Sequence, residues 1–167
     1  MKVLYPREGE TVYRTIYGIV LDAAHAQDLT QETFVRAYSA WDRFDRSNVR
    51  AWLLRIATNL AISYYRREKR RRRIPPWMLL EIGRQPEPAK ESEDRDLVAW
   101  LMRPLSPEQR ALITLHYYQQ VPRAEIAEQL GIPLGTVASR INKAMQVLRQ
   151  RAQAVGAMPP PSRSAVE

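Results

Sequence analysis

Four polar side chains near the C-terminus, Thr136, Ser139, Arg140 and Lys143, are spaced so that a helix gathers them on one face. Their chemistry is hydrogen bonding and positive charge, which suits base edges and phosphates. The apolar residues among and after them, Val137, Ile141, Ala144, Met145 and Leu148, recur at helical spacing and form the opposite stripe. Upstream, Arg123 to Leu130 is a short amphipathic segment. Gly131 then stands where a helix end must turn through positive φ, and Pro133-Leu134-Gly135-Thr136 opens the next helix. This order predicts a helix-turn-helix, whose second helix enters the major groove of DNA. Four polar residues on a lone helix would suit an ordinary solvated face; the preceding helix, the glycine turn and the basic charge favour DNA contact.

A second concentration of chemistry is the run Arg66 to Arg73, with seven cations in eight residues. A charged helix end favoured by the helix dipole needs fewer, so phosphate neutralisation is the better reading, and it carries little sequence information. Aromatic residues Trp41, Phe44, Trp52, Tyr64 and Tyr65 interleave with basic ones, as a single-strand binding surface requires for base stacking. Core packing is the competing account and is favoured for Trp52, which shares a stripe with Ile56 and Leu60; Phe44 lies in a polar loop and is more open. Asn59 on the same stripe needs a hydrogen-bond partner if buried, and an unpaired base edge is one candidate. Asp28, Gln31 and Glu32 make an acidic face in a basic region, explained either by a helix N-terminus or by a basic protein partner. Catalysis is not supported: neither His25 nor His116 has a Ser, Cys or paired carboxylate at a spacing that suggests a nucleophile or an acid/base pair.

The composition narrows the classes further. A formal net charge of +8 over 167 residues favours a polyanionic partner, nucleic acid first. The chain has no cysteine and two histidines, which excludes disulfides and Cys-based zinc sites and makes a His-rich metal site implausible; no cofactor is implied. No signal sequence or membrane-length apolar stretch is evident, so the expected location is the cytoplasm, without membrane insertion.

The elements that must position these groups are helical. Val12, Ile16, Ile19 and Val20 give a stripe over Thr11 to Leu21, and Asp22 to His25 reads as a connection. A second helix is expected from about Gln27 to Trp41, with Phe34, Tyr38 and Trp41 on one face. After a polar loop, Ser47 or Asn48 can cap a third helix in which Trp52, Ile56, Asn59, Leu60 and Tyr64 follow at helical intervals. Pro75-Pro76 ends it. The stretch to about Asp94 lacks periodicity and reads as a linker, although Trp77, Met78, Leu79, Leu80 and Ile82 are more apolar than a solvated tether needs. Leu97, Val98, Leu101 and Met102 begin a second helical unit, in which Ser106-Pro107-Glu108-Gln109 has the form of a capped helix start. The Pro-rich end from Ala157 is expected to be disordered. The fold class is therefore all-α: two small helical domains joined by a flexible linker, the second carrying the helix-turn-helix. The expected division is 1–73, linker 74–95, 96–151 and tail 152–167.

With these residues in view, the chain resembles the extracytoplasmic function (ECF) group of bacterial RNA polymerase sigma factors. The resemblance rests on Asp28 to Tyr38 (DLTQETFVRAY), Ala51 to Ala61 (AWLLRIATNLA), Leu105 to Arg110 (LSPEQR), Glu125-Ile126-Ala127 and Gly131 to Val137 (GIPLGTV), in family order. It implies a non-enzymatic initiation factor whose partners are core RNA polymerase and promoter DNA, with an anti-sigma factor as a further candidate. By motif, Asp28, Gln31 and Glu32 look like the polymerase-binding face. Asn59, with the loop from Phe44 to Asn48, looks like the part that captures an unstacked base of the minus-ten non-template strand. Arg66, Arg67 and Arg70, within the run to Arg73, would lie along the promoter backbone. Thr136, Ser139, Arg140, Asn142 and Lys143 would face the minus-thirty-five major groove. Two departures stand out. Ala138 occupies a position where the family often has Lys or Arg, which implies one contact fewer, and Gln120-Val121-Pro122 replaces the usual entry to the first helix of the motif, removing its Ser cap.

Two other classes compete. A homodimeric helix-turn-helix repressor or activator would use the C-terminal half, bind a palindromic duplex alone and have no need of the aromatic and basic N-terminal half. A basic RNA-binding or nucleoid protein would account for the charge and leave the recognition face without a purpose.

Overall fold

A computed structural model describes residues 4–71 and 93–154, and all regular structure in them is helical. The elements are α1 (Leu4–Val20), α2 (Ala23–Ala40), α3 (Val49–Arg71), α4 (Glu93–Met102), α5 (Pro107–Ile113), α6 (Arg123–Leu130) and α7 (Leu134–Ala154). A 3-10 turn, Trp41–Arg43, follows α2, and a π-helical turn, Thr114–Tyr118, extends α5. The apolar segment from Trp77 to Ile82, the remainder of 72–92 and the tail beyond Ala154 lie outside the described residues.

Helices α1 to α3 form the first bundle. The α1 stripe of Val12, Ile16, Ile19 and Val20 is buried as its periodicity predicts, but the helix begins at Leu4 rather than near Thr11. The expected connection from Asp22 to His25 is shorter: Asp22 Oδ1 accepts from the His25 backbone N–H at 2.8 Å, so Asp22 is an N-cap and α2 starts at Ala23. The buried face of α2 also differs from expectation. It consists of Ala26, Leu29, Thr30, Thr33 and Ala37, while Tyr38 is 71% exposed and Phe34 and Trp41 are only half-buried. Small residues let α2 approach its neighbours closely, and Thr30 and Thr33 donate their hydroxyls to Ala26 O and Leu29 O at 2.7 Å, so no polar group is stranded there. Helix α3 buries Leu53, Leu54, Ala57, Thr58, Leu60 and Ala61. Of the stripe expected for it only Leu60 is core; Trp52, Ile56 and Tyr64 are at the rim and Asn59 is exposed.

The second bundle is built as its sequence signals require. Ser106 Oγ accepts from the Gln109 N–H at 3.2 Å, and Gln109 Oε1 accepts from the Ser106 N–H at 2.9 Å. The capping box is complete, with Pro107 in the first turn of α5. Gly131 ends α6 at φ 65, a conformation that costs a glycine nothing. Leu105, Leu112, Leu115, Ile126, Val137, Ile141 and Ala144 make the core, and the Arg151 guanidinium stacks 3.7 Å from the Trp100 ring, tying α7 to α4.

The bundles also pack on each other. Ala111 of α5 sits in the first core and Leu54 of α3 in the second. A Cβ placed on Gly18 of α1 would lie 2.5 Å from Thr114 Oγ1, so the π turn and α1 approach closely only because residue 18 has no side chain.

Candidate DNA and polymerase interfaces

Helix α7 displays the polar face that its spacing predicts. Val137, Ile141 and Ala144 are buried against the second core, and Ser139, Arg140, Asn142 and Lys143 are exposed. Thr136 is half-buried in the first turn, where its N–H reaches Pro133 O at 2.9 Å and its carbonyl accepts from Ser139 Oγ at 3.1 Å. Ala138 lies on the flank, half-buried. Pro122 occupies the N-cap position of α6 without a side-chain cap. Gln146 and Arg149 continue the exposed side one and two turns beyond Asn142; the spacing from Asn142 and Lys143 was the available signal for them.

On the first bundle, Phe44 stacks on Trp52 with ring centroids 4.1 Å apart and planes 5° from parallel, and Trp41 leans against both. Trp52 is thus neither fully core nor free: one edge joins the bundle and the other carries an aromatic platform. The loop that holds Phe44 is built locally. Asp45 Oδ1 accepts from the Ser47 N–H at 3.0 Å and from Ser47 Oγ at 2.8 Å, which holds the Asp45 carboxyl below its ordinary range. Arg46 has φ 63, a left-handed conformation for a side chain with a Cβ, and places its guanidinium 5.4 Å from the Trp41 ring centre. Asn48 caps α3, its Oδ1 accepting from the Ala51 N–H at 3.0 Å, so a strand would meet chiefly its NH2 group.

Asn59 points into a shallow recess of about 610 Å³ shared with Arg36, Trp52, Ser63, Arg66 and Arg67. Asn59 therefore does not face the buried-polar problem that its apolar stripe suggested; it is an exposed edge group ringed by cations. Arg66 and Arg67 are exposed, and Arg66 pairs through Nε (2.9 Å) and a terminal nitrogen (2.8 Å) with Glu108 of α5. Burial alone would raise the Glu108 carboxyl, but its own backbone N–H, Arg66 and Ser106 outweigh this and hold it below the ordinary carboxylate range. Arg70 lies near the end of α3, and its side chain, with Arg72 and Arg73, is outside the described residues. Arg36 and Arg55 lie beside the aromatic platform and the Asn59 recess; helical spacing from Trp52 and Asn59 signals Arg55, whereas Arg36 comes from α2 and only the packing of α2 on α3 brings it there.

The acidic face lies on α2. Asp28 and Gln31 are exposed, and Glu32 accepts two hydrogen bonds from Arg36 one turn on. An exposed pair of this kind is weak, so a partner's cation can displace Arg36 at small cost. Val35 (65% exposed) and Tyr38 (71%) extend the same stripe, giving the acids two apolar neighbours that periodicity had assigned inward or overlooked.

Residues 4–71 match the family model of Sigma-70 region 2, and residues 99–148 that of Sigma-70 region 4. The ECF RNA polymerase sigma factor SigL of Mycobacterium tuberculosis is 33% identical over 160 residues, covering 93% of this chain and 90% of that protein. The chain belongs to the ECF RNA polymerase sigma factors. SigW of Bacillus subtilis, of the same family, is 31% identical over 160 residues, covering 85% of this sigma factor and 83% of its own length. Among solved structures, CnrH in complex with the cytosolic domain of CnrY aligns with a TM-score of 0.66 at 26% identity, covering 90% of this chain and 86% of that one. RpoE of Bartonella quintana, in complex with the anti-sigma factor NepR, shares the fold with a TM-score of 0.69 at 24% identity, covering 91% and 96%.

This sigma factor accordingly directs transcription initiation by binding core RNA polymerase and promoter DNA. The α2 face and the Phe44/Asn59 surface fall in its region 2, and the α7 face in its region 4. A homodimeric repressor is not favoured, because region 2 accounts for the bundle that a repressor would not need. Among the described residues no helix is long and apolar enough to cross a membrane.

Proposed function

We propose that three separate surfaces of this sigma factor divide the work of initiation. The outer face of α2, with Asp28, Gln31 and Glu32 and their neighbours Val35 and Tyr38, docks a basic helical element of core polymerase. Phe44, Asn48 and Asn59 capture an unstacked base of the minus-ten non-template strand, while Arg66, Arg67 and Arg70 follow the promoter backbone. Thr136, Ser139, Arg140, Asn142 and Lys143 read the minus-thirty-five major groove. The observation that carries this reading is a half-buried aromatic platform at the rim of the bundle, Phe44 on Trp52, beside an exposed Asn59 within a ring of arginines. Stacking surface, edge partner and phosphate charge are the three requirements of single-strand capture.

We assign residues 1–73 to polymerase binding and the minus-ten element and 96–151 to the minus-thirty-five element; Glu93 to Arg95, expected in the linker, instead begin α4, and Ala152 to Ala154, expected in the tail, instead end α7, where Ala152 is buried. The protein works in the cytoplasm, where polymerase and chromosome meet, and it has no chemistry of its own: the polymerase makes the bonds. The complex of the similar RpoE with an anti-sigma factor supports an anti-sigma partner here too. A gel shift on promoter DNA with and without core polymerase tests the whole. Specific retardation only when core enzyme is present is expected; tight, specific binding by the protein alone would overturn it.

A further inference from the structure

Among the described residues of the helix-turn-helix, Leu134 is the only large apolar residue left in solvent, 52% exposed. The other large apolar residues of α7 have partners: Val137 and Ile141 are buried, and Met145, Val147 and Leu148 pack against the second core. Leu134 contributes to neither core. A lone exposed leucine on a protein surface needs no explanation, but this one opens the helix assigned to the major groove. In such motifs the N-terminal residues of that helix are the ones that meet base edges.

The local geometry leaves Leu134 free to do so. The Pro133 carbonyl accepts from the N–H groups of Thr136 at 2.9 Å and Val137 at 3.1 Å, which starts the helix at Leu134. Beside it, Gly135 has no protein atom within 4 Å of the point where a Cβ would stand, so that side of the first turn is clear. One turn on from Leu134 is Ala138, half-buried, which presents a methyl group and no charge. Leu134 and Ala138 thus form a short apolar strip along the flank of the polar face. The hydroxyls nearby do not replace it as donors: Ser139 Oγ donates to the Thr136 carbonyl at 3.1 Å, which leaves it lone pairs only, and Thr136 is half-buried. Among the groups that base pairs present in the major groove, the C5-methyl of thymine is the apolar one.

We propose that Leu134, backed by Ala138, contacts the C5-methyl group of a thymine in the minus-thirty-five element and sets a preference for that A·T pair. The polar residues of α7 do not supply it. Burying one methyl group against an apolar side chain strengthens binding about fourfold. A polar base edge at the same place would lose water to Leu134 and gain no hydrogen bond, so the contact rejects other pairs as well as attracting this one. The inference rests on the assignment of α7 to the minus-thirty-five element, and its test keeps the two apart.

Holoenzyme, formed from core polymerase and the full-length chain, is used to select duplex promoters from a library randomised across the minus-thirty-five element. The selected duplex is then remade with deoxyuridine in place of each thymine of that element in turn, on either strand. Deoxyuridine keeps the pairing and the O4 acceptor and lacks only the methyl group. At one position, wild-type holoenzyme should bind the deoxyuridine duplex about fourfold more weakly than the thymine duplex. Leu134→Ala should bind the thymine duplex more weakly than wild type by about fourfold or more, and should lose nothing further on deoxyuridine. Leu134→Met, which keeps a long apolar side chain, should retain the methyl dependence. Leu134→Ala should fold normally, because Leu134 is exposed and alanine is the better helix former. A selected element with no A·T pair, wild-type binding indifferent to every methyl group, or Leu134→Ala binding that still falls as wild type does at each deoxyuridine would each overturn the thymine contact. A scrambled minus-thirty-five element bound as tightly as the selected one would overturn the α7 assignment itself, and the contact with it.

Discussion

Truncating Phe44 to alanine should impair promoter melting while leaving polymerase binding intact. The ring is half-buried and stacked on Trp52 at 4.1 Å, so its loss acts on both folding and function. For folding, a half-buried Phe costs about half of the ~3–5 kcal/mol lost on truncating a fully buried one, less than the ~5–15 kcal/mol that holds a small domain together. The variant should stay folded with a lower melting temperature. For function, one base–aromatic stack is worth about 1–3 kcal/mol, which is about 5- to 150-fold in the open-complex equilibrium. Asn59→Ala supplies the control for stability. Asn59 is exposed, so its truncation costs the fold little, yet it removes the edge partner from the same recess. Permanganate reactivity of minus-ten thymines, measured at saturating core enzyme, reads the effect. Both variants should show reduced reactivity with unchanged affinity for core polymerase. Unchanged reactivity in both means that the stacked platform is packing and that the base is captured elsewhere.

Arg140→Ala and Lys143→Ala should weaken minus-thirty-five recognition. A lost base contact costs about 1–3 kcal/mol at one position, whereas a lost phosphate contact lowers binding to all sequences and reduces the salt slope by about 1. Binding titrations across salt with single-base promoter variants separate the two, and full activity on every promoter tested would remove both residues from the interface. Charge reversal at Asp28 or Glu32 should weaken core binding, most at low salt, because like charges then face each other; an affinity that responds neither to salt nor to reversal argues against the acidic face. Ser106→Ala breaks the capping box and should cost about 0.5–2 kcal/mol, seen as a lower midpoint in denaturant at unchanged slope; no change would mean that the cap is redundant. Glu108, whose carboxyl is held below its ordinary range, stabilises the fold, in part through its pair with Arg66 of α3, above the unfolded carboxylate pKa. That contribution should fade as pH falls through the depressed value, and Glu108→Gln should abolish this pH dependence.

Much of the fold was legible because its signals are local. The Ser106 capping box, the Gly131 turn and the Val137/Ile141/Ala144 stripe each depend on a few neighbouring residues, and each is formed as written. The acidic and basic candidate residues were likewise legible as charges out of place. What misled was size. Phe34, Tyr38 and Trp41 look like a core face, but α2 buries Ala26, Thr30, Thr33 and Ala37, because three closely packed helices favour small residues at their contacts and tolerate hydroxyls that bond back to the helix. The same error placed Asn59 in the core stripe of α3. The packing of one bundle on the other was not legible at all: it depends on the missing side chain of Gly18, on Gln119 and on a π turn, none of which leaves a periodic trace.

The central claim is tested most directly by in vitro transcription with core enzyme, this protein and a template carrying its minus-ten and minus-thirty-five elements. Discrete transcripts from one start site, dependent on the protein and lost when either element is scrambled, are predicted. Tight operator binding by the protein alone, with no stimulation of initiation by core polymerase, would contradict the account.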